Sequence, residues 1–276
     1  MDVYARIPMR TFHDLLPLKQ WIKIFNLQAN KAFGQNFLFD LNITDKIVKL
    51  SGVGEGDHIL EIGPGLGGLT ISLLKNNISK LSVIEKDERF LPLLNKIQDL
   101  DHRLEIITGD ALYTPLPHHI NHIVANLPYN ISVPFILKAL LHPSLQSMTV
   151  LVQKEVGERF ISANNCKEYG KISILSQIFA DIKILYYLPP SVFIPAPKVQ
   201  SVLLQFIIKN KPLVPLVPFI EMILKSAFTH RRKLLTSTLG QDFPLLKNFL
   251  KDKRCENLSI EEVIFFSEIL QNSFKK

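Results

Sequence analysis

An apolar run that passes through a glycine-rich turn into a helical pattern is the feature that most restricts the fold of this chain. Residues 58–62 form the apolar run, residues 63–68 include four glycines, and the pattern from Leu69 onward is typical of a helix. A strand, a glycine turn and a helix in this order are typical of a doubly wound α/β sheet, because glycines let a ligand lie against the backbone. The sequence therefore predicts an α/β protein with a ligand site at the end of this strand.

Polar residues also follow three later apolar runs. Residues 81–85, 104–108 and 122–125 are each predicted to form a buried strand. Because ligands in open α/β sheets sit at the carboxyl ends of the strands, the polar residues there should face one site. With the acid that precedes the glycine turn, these residues are Glu61, Glu85, Asp110 and Asn126.

The chemistry of the acids favours S-adenosylmethionine over a dinucleotide as the ligand. Glu61 can meet an ammonium group, Glu85 can accept from two ribose hydroxyls, and Asp110 can accept from an adenine amino group. The glycine turn contains no basic residue that would indicate a pyrophosphate. Glu85 could instead be a surface acid and Asp110 a helix N-cap, but four polar strand ends in this order argue against coincidence.

The tetrapeptide Asn126-Leu127-Pro128-Tyr129 suits the methylation of an exocyclic amine on a nucleobase. Its amide oxygen and a backbone carbonyl can accept both N–H groups of the amine, which makes the nitrogen more nucleophilic. Pro128 stiffens the turn, and Tyr129 offers a face on which a base can stack. Taken alone, the same four residues could be a strand end followed by an ordinary turn.

Two further segments are predicted to close over this site. Residues 31–38 place amides beside a glycine between phenylalanines, which suits a lid, although they could also simply lead into the helix predicted from Asp40 to Leu50. Residues 189–198 are too rich in proline for helix or sheet and are predicted to form an extended loop. That loop would present Phe193 opposite Tyr129, unless Phe193 packs in the core.

The remaining pattern completes the predicted sheet and the domain organisation. Three more strands are predicted at residues 148–153, 182–188 and 201–208, the last of them antiparallel because no crossover helix precedes it. We expect an N-terminal extension over residues 1–30, a catalytic domain over 31–210 and a helical domain over 211–276.

The charge is concentrated at the two ends of the chain. Residues 1–35 contain five Lys/Arg and two Asp/Glu, residues 36–208 contain fifteen and sixteen, and residues 209–276 contain twelve and seven. Basic ends around a nearly neutral body favour a polyanionic partner. The cations expected to contact RNA phosphates, rather than only to form a solvated face, are Arg231, Arg232, Lys233, Lys253 and Arg254.

Several classes of protein are disfavoured by the composition. The chain has only two cysteines, far apart, which indicates a reducing compartment and no disulfide framework. Its eight histidines form no metal-binding pattern, so no metal is expected. No apolar stretch is long enough to cross a bilayer, and neither a signal nor a transit peptide is supported, so we expect a cytoplasmic protein without a membrane partner.

From about Lys31 to its C-terminus, the chain resembles the small-subunit ribosomal RNA adenine dimethyltransferases. The motifs in combination are highly specific. They are GQNFL at residues 34–38, EIGPGLG at 61–67, GDA at 109–111, NLPYNIS at 126–132, QKEV at 153–156, FIPAPKVQS at 193–201 and FTHRRK at 228–233. The stretch before Lys31 is longer than usual in bacterial members, and Cys255 stands where the family usually has alanine.

The resemblance implies a class I methyltransferase fold, Rossmann-like, with a mostly parallel seven-stranded sheet and a small helical C-terminal domain. It implies S-adenosylmethionine as donor and two adjacent adenosines near the 3′ end of 16S RNA, each dimethylated at N6, as substrate in the small (30S) subunit or its precursor. We expect a monomer. The residues implied to contact the cofactor are Gln35, Asn36, Leu38, Glu61, Gly63, Gly65, Glu85, Asp110, Ala111 and Asn126. Those implied to hold the adenine are Asn126, Leu127, Pro128, Tyr129 and Phe193.

Three alternatives share part of this pattern. Erythromycin-resistance methyltransferases act on large-subunit RNA, but they usually carry Asn-Ile-Pro-Phe/Tyr and lack the pattern of residues 228–233. Organellar homologues that double as transcription factors would need a transit peptide. A non-catalytic assembly factor would not need an intact tetrapeptide at residues 126–129 together with the glycine turn.

Overall fold

A computed structural model describes residue 20 and residues 34–209, 213–250 and 252–275. The predicted N-terminal extension, residues 1–30, therefore lies outside the described residues except for residue 20. The described chain divides into two compact units, the first formed by residues up to 154 with 183–207, and the second by residues 155–182 with those from 208 onward. The predicted domains differ from this division, because residues 155–182 group with the C-terminal helices.

The secondary structure follows the alternation of strands and helices expected for an α/β protein. The strands are β1 (Phe37–Leu38), β2 (His58–Ile62), β3 (Lys80–Glu85), β4 (Leu104–Thr108), β5 (His122–Asn126), β6 (Ser147–Gln153), β7 (Ala180–Leu188), β8 (Phe193–Ile194) and β9 (Ser201–Ile208). The helices are α1 (Leu41–Ser51), α2 (Gly68–Leu74), α3 (Leu91–Leu100), α4 (Ser132–Leu140), α5 (Lys154–Ile161), α6 (Lys171–Phe179), α7 (Val217–Thr229), α8 (Leu239–Asp242) and α9 (Ile260–Phe274).

Seven strands form one mixed sheet with the order β4-β3-β2-β5-β6-β9-β7. The pairs from β4 to β6 are parallel, whereas β9 pairs antiparallel with β6. The predicted fold class, seven mostly parallel strands with the last one antiparallel, is confirmed. The predicted strands at residues 58–62, 104–108 and 201–208 match the observed bounds of β2, β4 and β9.

The central strands are apolar because helices cover both faces of a parallel sheet, which buries nearly every side chain. In β3, Leu81, Val83 and Ile84 are at most 1% exposed. Because these strand pairs are parallel, the carboxyl ends of the strands lie along one edge of the sheet, termed the carboxyl edge. The strands concerned are β2, β3, β4 and β5. Burial of these strands therefore fixes the side chains that follow them at a common edge.

A second, two-stranded sheet joins the predicted lid to the proline-rich loop. β1 pairs antiparallel with β8, with Phe37 opposite Ile194 and Leu38 opposite Phe193. The prediction that residues 189–198 form neither helix nor sheet is therefore wrong at Phe193–Ile194 and at a short 3₁₀ turn, Pro190–Val192. Phe193 and Ile194 are apolar and keep their backbone N–H groups between prolines, so they can pair where the prolines cannot.

The second unit is mainly helical. Helix α9 begins at the N-cap Ser259, whose side chain accepts from the backbone N–H of Glu262, while the Glu262 carboxylate accepts from the Ser259 N–H at 3.0 Å. Inside this unit the Tyr169 hydroxyl donates to the Leu258 carbonyl at 2.9 Å. No helix in the described part of the chain has both the length and the apolarity needed to cross a bilayer.

Candidate active site

A pocket at the carboxyl edge of the sheet brings together the predicted cofactor and adenine residues, with one exception. It lies within the first unit and is lined by the lid residues 34–38, by the glycine turn and by the residues that follow β3, β4 and β5. Every predicted cofactor residue lines it, as do Leu127, Pro128 and Tyr129. Phe193 does not.

The glycine turn forms a cradle that only glycine fits. Gly63 and Gly65 have φ angles of 64° and 53°, in the left-handed region that other residues rarely adopt. A Cβ added to Gly65 would lie 3.2 Å from Cε1 of Phe37 in the lid. The space between turn and lid is thus free of side chains from the turn, as the close approach of a ligand to the backbone requires.

Glu85 is held at the end of β3 by two backbone donors. Its Oε2 accepts from the Gly65 N–H at 3.0 Å and its Oε1 accepts from the Asp87 N–H at 2.8 Å. Burial raises the pKa of Glu85, while these N–H groups act in the opposite direction. With 5% of the side chain exposed, Glu85 is not the surface acid of the alternative interpretation, and both oxygens retain lone pairs for a diol.

Glu61 is the other buried acid of the pocket. Its side chain is 2% exposed, and its Oε2 accepts from the Thr70 hydroxyl at 2.6 Å. Burial, together with the charge of Glu85, raises the pKa of Glu61 to about 8, although the Thr70 hydroxyl acts in the opposite direction. A ligand ammonium beside Glu61 would favour the charged carboxylate. The Glu61 carboxylate is therefore an acceptor that fits the ammonium group of S-adenosylmethionine.

Asp110 is held on a short loop after β4. Its Oδ1 accepts from the Leu112 N–H at 2.9 Å, and its Oδ2 pairs with Lys86 Nζ at 2.9 Å. Lys86 holds the pKa of Asp110 below its ordinary value. Asp110 is thus a charged acceptor held by its own loop. No helix follows it in the described residues before β5, so the alternative interpretation as a helix N-cap is wrong.

The comparison with known proteins decides the family. The model of the family described as Ribosomal RNA adenine dimethylase matches residues 26–272. The chain belongs to this family. The enzyme is therefore a methyltransferase that acts on ribosomal RNA and uses S-adenosylmethionine.

Curated relatives resemble this dimethylase over nearly their whole length. A protein of Bartonella tribocorum is 39% identical, with 93% of this chain and 98% of the relative covered. A protein of Dinoroseobacter shibae is 38% identical, with 92% and 96% covered. Both are named Ribosomal RNA small subunit methyltransferase A.

Solved structures agree with the fold. A dimethyladenosine transferase from Plasmodium falciparum superposes with a TM-score of 0.77 at 25% identity, covering 86% of this chain and 98% of that one. The 23S rRNA methyltransferase ErmE superposes with a TM-score of 0.66 at 20% identity, covering 86% and 100%. The second likeness shows the fold alone.

In this dimethylase the lid is tied to Asn126, a predicted adenine-binding residue, and to Asp87, which follows β3. Asn126 Nδ2 donates to the Asn36 carbonyl at 2.8 Å, and Gln35 Nε2 donates to Asp87 at 2.8 Å. Because its NH₂ group is directed to the lid, Asn126 can present its Oδ1 as an acceptor. The Asn126 side chain therefore serves both the lid and the predicted amine site.

Two residues support the site that sequence reasoning did not single out. Ser201, fully buried on β9, forms a 2.7 Å hydrogen bond with the Tyr129 hydroxyl. Lys138 on α4 donates through Nζ to the carbonyls of Ala111, Leu112 and Thr114 at 2.9, 3.1 and 2.7 Å. A lysine in an apolar helix was the available signal for Lys138, and for Ser201 the sequence offered only its place in a motif.

Phe193 occupies the core instead of facing a base opposite Tyr129. Its side chain is 2% exposed and belongs to the core cluster that includes Leu38. The alternative made from the sequence, core packing, is what the structure shows. The reason is the pairing of β8 with β1, which holds Phe193 opposite Leu38.

The predicted RNA-binding cations fall into two groups. Arg231 donates to the carbonyls of Lys167 and Tyr169 at 3.2 and 2.9 Å, and Lys253 pairs with Glu262 at 2.7 Å. These two therefore have structural partners within the second unit. Arg232, Lys233 and Arg254 are exposed and can reach a phosphate.

Proposed function

We propose that this dimethylase modifies small-subunit ribosomal RNA, dimethylating N6 of two adjacent adenosines in the hairpin loop near the 3′ end of 16S RNA. The substrate would be the small subunit or its precursor, met by a monomeric enzyme in the cytoplasm. The names of the curated relatives and the motifs of residues 126–132 and 228–233 support this assignment.

The pocket fits the cofactor by three features of this chain. Glu61 can hold the ammonium group, Glu85 can accept from the ribose hydroxyls, and Asp110 can accept from the adenine amino group. The glycine cradle leaves room for the ligand. A side chain at Gly65 would instead occupy the space between the turn and the Phe37 ring of the lid. When bound, S-adenosylmethionine supplies a methyl group carried on a positively charged sulfur.

The single observation that carries the proposed chemistry is the position of Asn126. Its NH₂ group is held by the Asn36 carbonyl, so its oxygen can accept one N–H of the adenine amine. The carbonyl of Leu127 or Pro128 can accept the other N–H. Two neutral acceptors fixed in advance increase the electron density at N6 and stabilise its developing positive charge.

Tyr129 holds the base, and no side chain is needed as a general base. The hydrogen bond to Ser201 restrains the Tyr129 ring. The ring is therefore a stacking surface that is oriented before the base binds. The proton on N6 becomes strongly acidic only after methylation, so water or a backbone carbonyl can accept it. The pocket must also accept a monomethylated amine, because each adenosine receives two methyl groups.

The test is methylation of ribosomal subunits from a strain that lacks this activity, with labelled donor and mapping of the modified nucleotides. We expect label on small subunits alone, at N6 of two adjacent adenosines near the 3′ end. Label that appears only on large-subunit RNA would overturn the substrate assignment. Binding to small subunits without any transfer would instead support a non-catalytic assembly factor.

A further inference from the structure

The second unit contains a cleft that the proposed reaction does not use. It lies between the C-terminal half of α7 and the segment that runs from the end of that helix through α8. Its lining combines apolar, hydroxyl and cationic side chains, represented by Met222, Ser226, Thr229, Lys233, Thr238 and Phe243.

Ser226 is the residue that points to a ligand. Its side chain is 9% exposed, and its hydroxyl has no hydrogen-bond partner in the structure. Burying a hydroxyl without a partner is unfavourable, and most buried hydroxyls in native proteins are paired. Because Ser226 lines the cleft, a rotation of its side chain lets a molecule that enters the cleft supply the missing partner.

The charge of the cleft favours an anion. Lys225 and Lys233 line it and are exposed, and neither forms an ion pair with an acid in the described part of the chain. His230 lies beside them, and Asp242 is the acid among the lining residues. By contrast, Arg231 and Lys253 in the same unit have intramolecular partners. The cations of the cleft therefore remain available to a phosphate.

The apolar part of the lining favours a nucleotide over phosphate alone as the ligand. Met222 and Phe243 are partly buried, and both contribute to the cleft. A phosphate alone gains nothing from these side chains, whereas a base can stack on an aromatic ring. Gln241 can donate to a base edge and accept from it.

We propose that this cleft binds one unpaired nucleotide of the RNA substrate. Its phosphate lies at Lys225 and Lys233 and accepts from the Ser226 hydroxyl, while its base packs against Phe243. The proposal rests on the proposed function only in taking ribosomal RNA as the ligand. It predicts a contact separate from the adenosine that is methylated.

The first test is Ser226→Ala in the full chain, which removes the unpaired hydroxyl and little else. We expect the melting temperature to stay the same or rise, because the folded protein loses no hydrogen bond. The affinity for ribosomal RNA should fall about three- to tenfold, because the complex loses one. Unchanged affinity, or a loss of affinity together with a lower melting temperature, would overturn the role of Ser226.

The second test compares two double variants that change the net charge equally. Lys225→Gln with Lys233→Gln should weaken RNA binding about tenfold near 0.1 M salt and lower the slope of log affinity against log salt by about 2. Lys171→Gln with Lys275→Gln, at exposed lysines outside the cleft, should change both quantities much less. Equal effects of the two pairs would show general charge attraction and would overturn the cleft.

A third measurement locates the base. Crosslinking of the protein to RNA that contains 4-thiouridine, followed by peptide mass spectrometry, should label the peptide that contains Phe243. Labelling confined to other peptides would contradict the proposal. The cleft variants are measured on whichever ribosomal RNA the unsubstituted protein methylates, so an error in the subunit assignment and an error in the cleft give different results.

Discussion

Glu61 and Glu85 lie in the same pocket and are both buried, yet the protein holds them differently. Glu85 accepts hydrogen bonds from the backbone N–H groups of Gly65 and Asp87, whereas the Glu61 carboxylate accepts from the Thr70 hydroxyl. Backbone donors compensate part of the cost of burying a charge, and a single hydroxyl compensates less. Glu61 is therefore the group whose protonation should respond most to a bound cation.

The pH dependence of stability should reveal the raised pKa of Glu61. Its pKa is about 8 in the folded protein against an ordinary 4.5, so the folded state binds an extra proton between these values. The free energy of unfolding should therefore fall as pH rises from about 4.5 to 8, relative to Glu61→Gln, by a few kcal/mol. Urea unfolding of both proteins at several pH values measures this difference, and parallel profiles would contradict it.

Tyr129 and Ser201, which share a hydrogen bond, should act as one unit. Tyr129→Phe and Ser201→Ala each remove the same hydrogen bond, so each should lower kcat/KM about three- to tenfold. The double variant should be no worse than either single one. Losses that multiply in the double variant would show independent roles. Tyr129→Ala, which removes the ring, should cost at least tenfold more than Tyr129→Phe.

At the residue scale, the sequence predicts the positions of side chains at the ends of strands. It does not predict the positions of side chains that depend on contacts between segments far apart in the chain. Glu85 and Asn126 follow apolar runs, so their position at the edge of the sheet follows from the pattern. Phe193 depends on the pairing of β8 with β1, and Arg231 depends on carbonyls of a loop far away in sequence. No local pattern records such contacts.

At the scale of elements, the loop that follows β4 is held by a helix. Lys138 on α4 satisfies three carbonyls of residues 111–114, next to Asp110. Burial lowers the pKa of Lys138, while Asp110 opposes that shift. The orientation of the predicted cofactor residues Asp110 and Ala111 thus depends on a charge that comes from a different element.

Lys138→Met should loosen this loop without touching the predicted amine site. We expect the affinity for S-adenosylmethionine to fall about tenfold, with kcat at saturating cofactor changed less than about threefold, since three charge-assisted hydrogen bonds are lost outside the reacting groups. Titration calorimetry and steady-state kinetics measure the two effects. Lys49→Met, at an exposed lysine of α1, is the matched control. A fall in kcat alone would contradict this role.

The short elements were the hardest to predict. The seven strands of the large sheet come from apolar runs long enough to be recognised. The predicted bounds agree exactly with those of three of them, β2, β4 and β9. β1 and β8 have only two residues each, and β8 lies among prolines. Such a pair exists because its partners meet in the fold, which local propensity does not record.

At the scale of the whole molecule, the fold class follows from the order of elements, but the division into units does not. Residues 155–182 carry the same helix-to-strand pattern as the catalytic part of the chain. They group with the C-terminal helices because they contact the C-terminal residues. The hydrogen bond from the Tyr169 hydroxyl to the Leu258 carbonyl is one such contact. Composition identified the C-terminal residues as basic, but it could not show that Arg231 and Lys253 are used internally.

We propose above all that a neutral amide, Asn126, presents an acceptor to the adenine amine. The most direct measurement is single-turnover methyl transfer to small subunits by Asn126→Ala, with the cofactor affinity determined on the same protein. We expect the rate of methyl transfer to fall about 100- to 1,000-fold. We also expect the cofactor affinity to change less than about tenfold, while Asn130→Ala, at the same pocket, keeps most of the rate. A normal rate in Asn126→Ala would contradict the proposed role of Asn126.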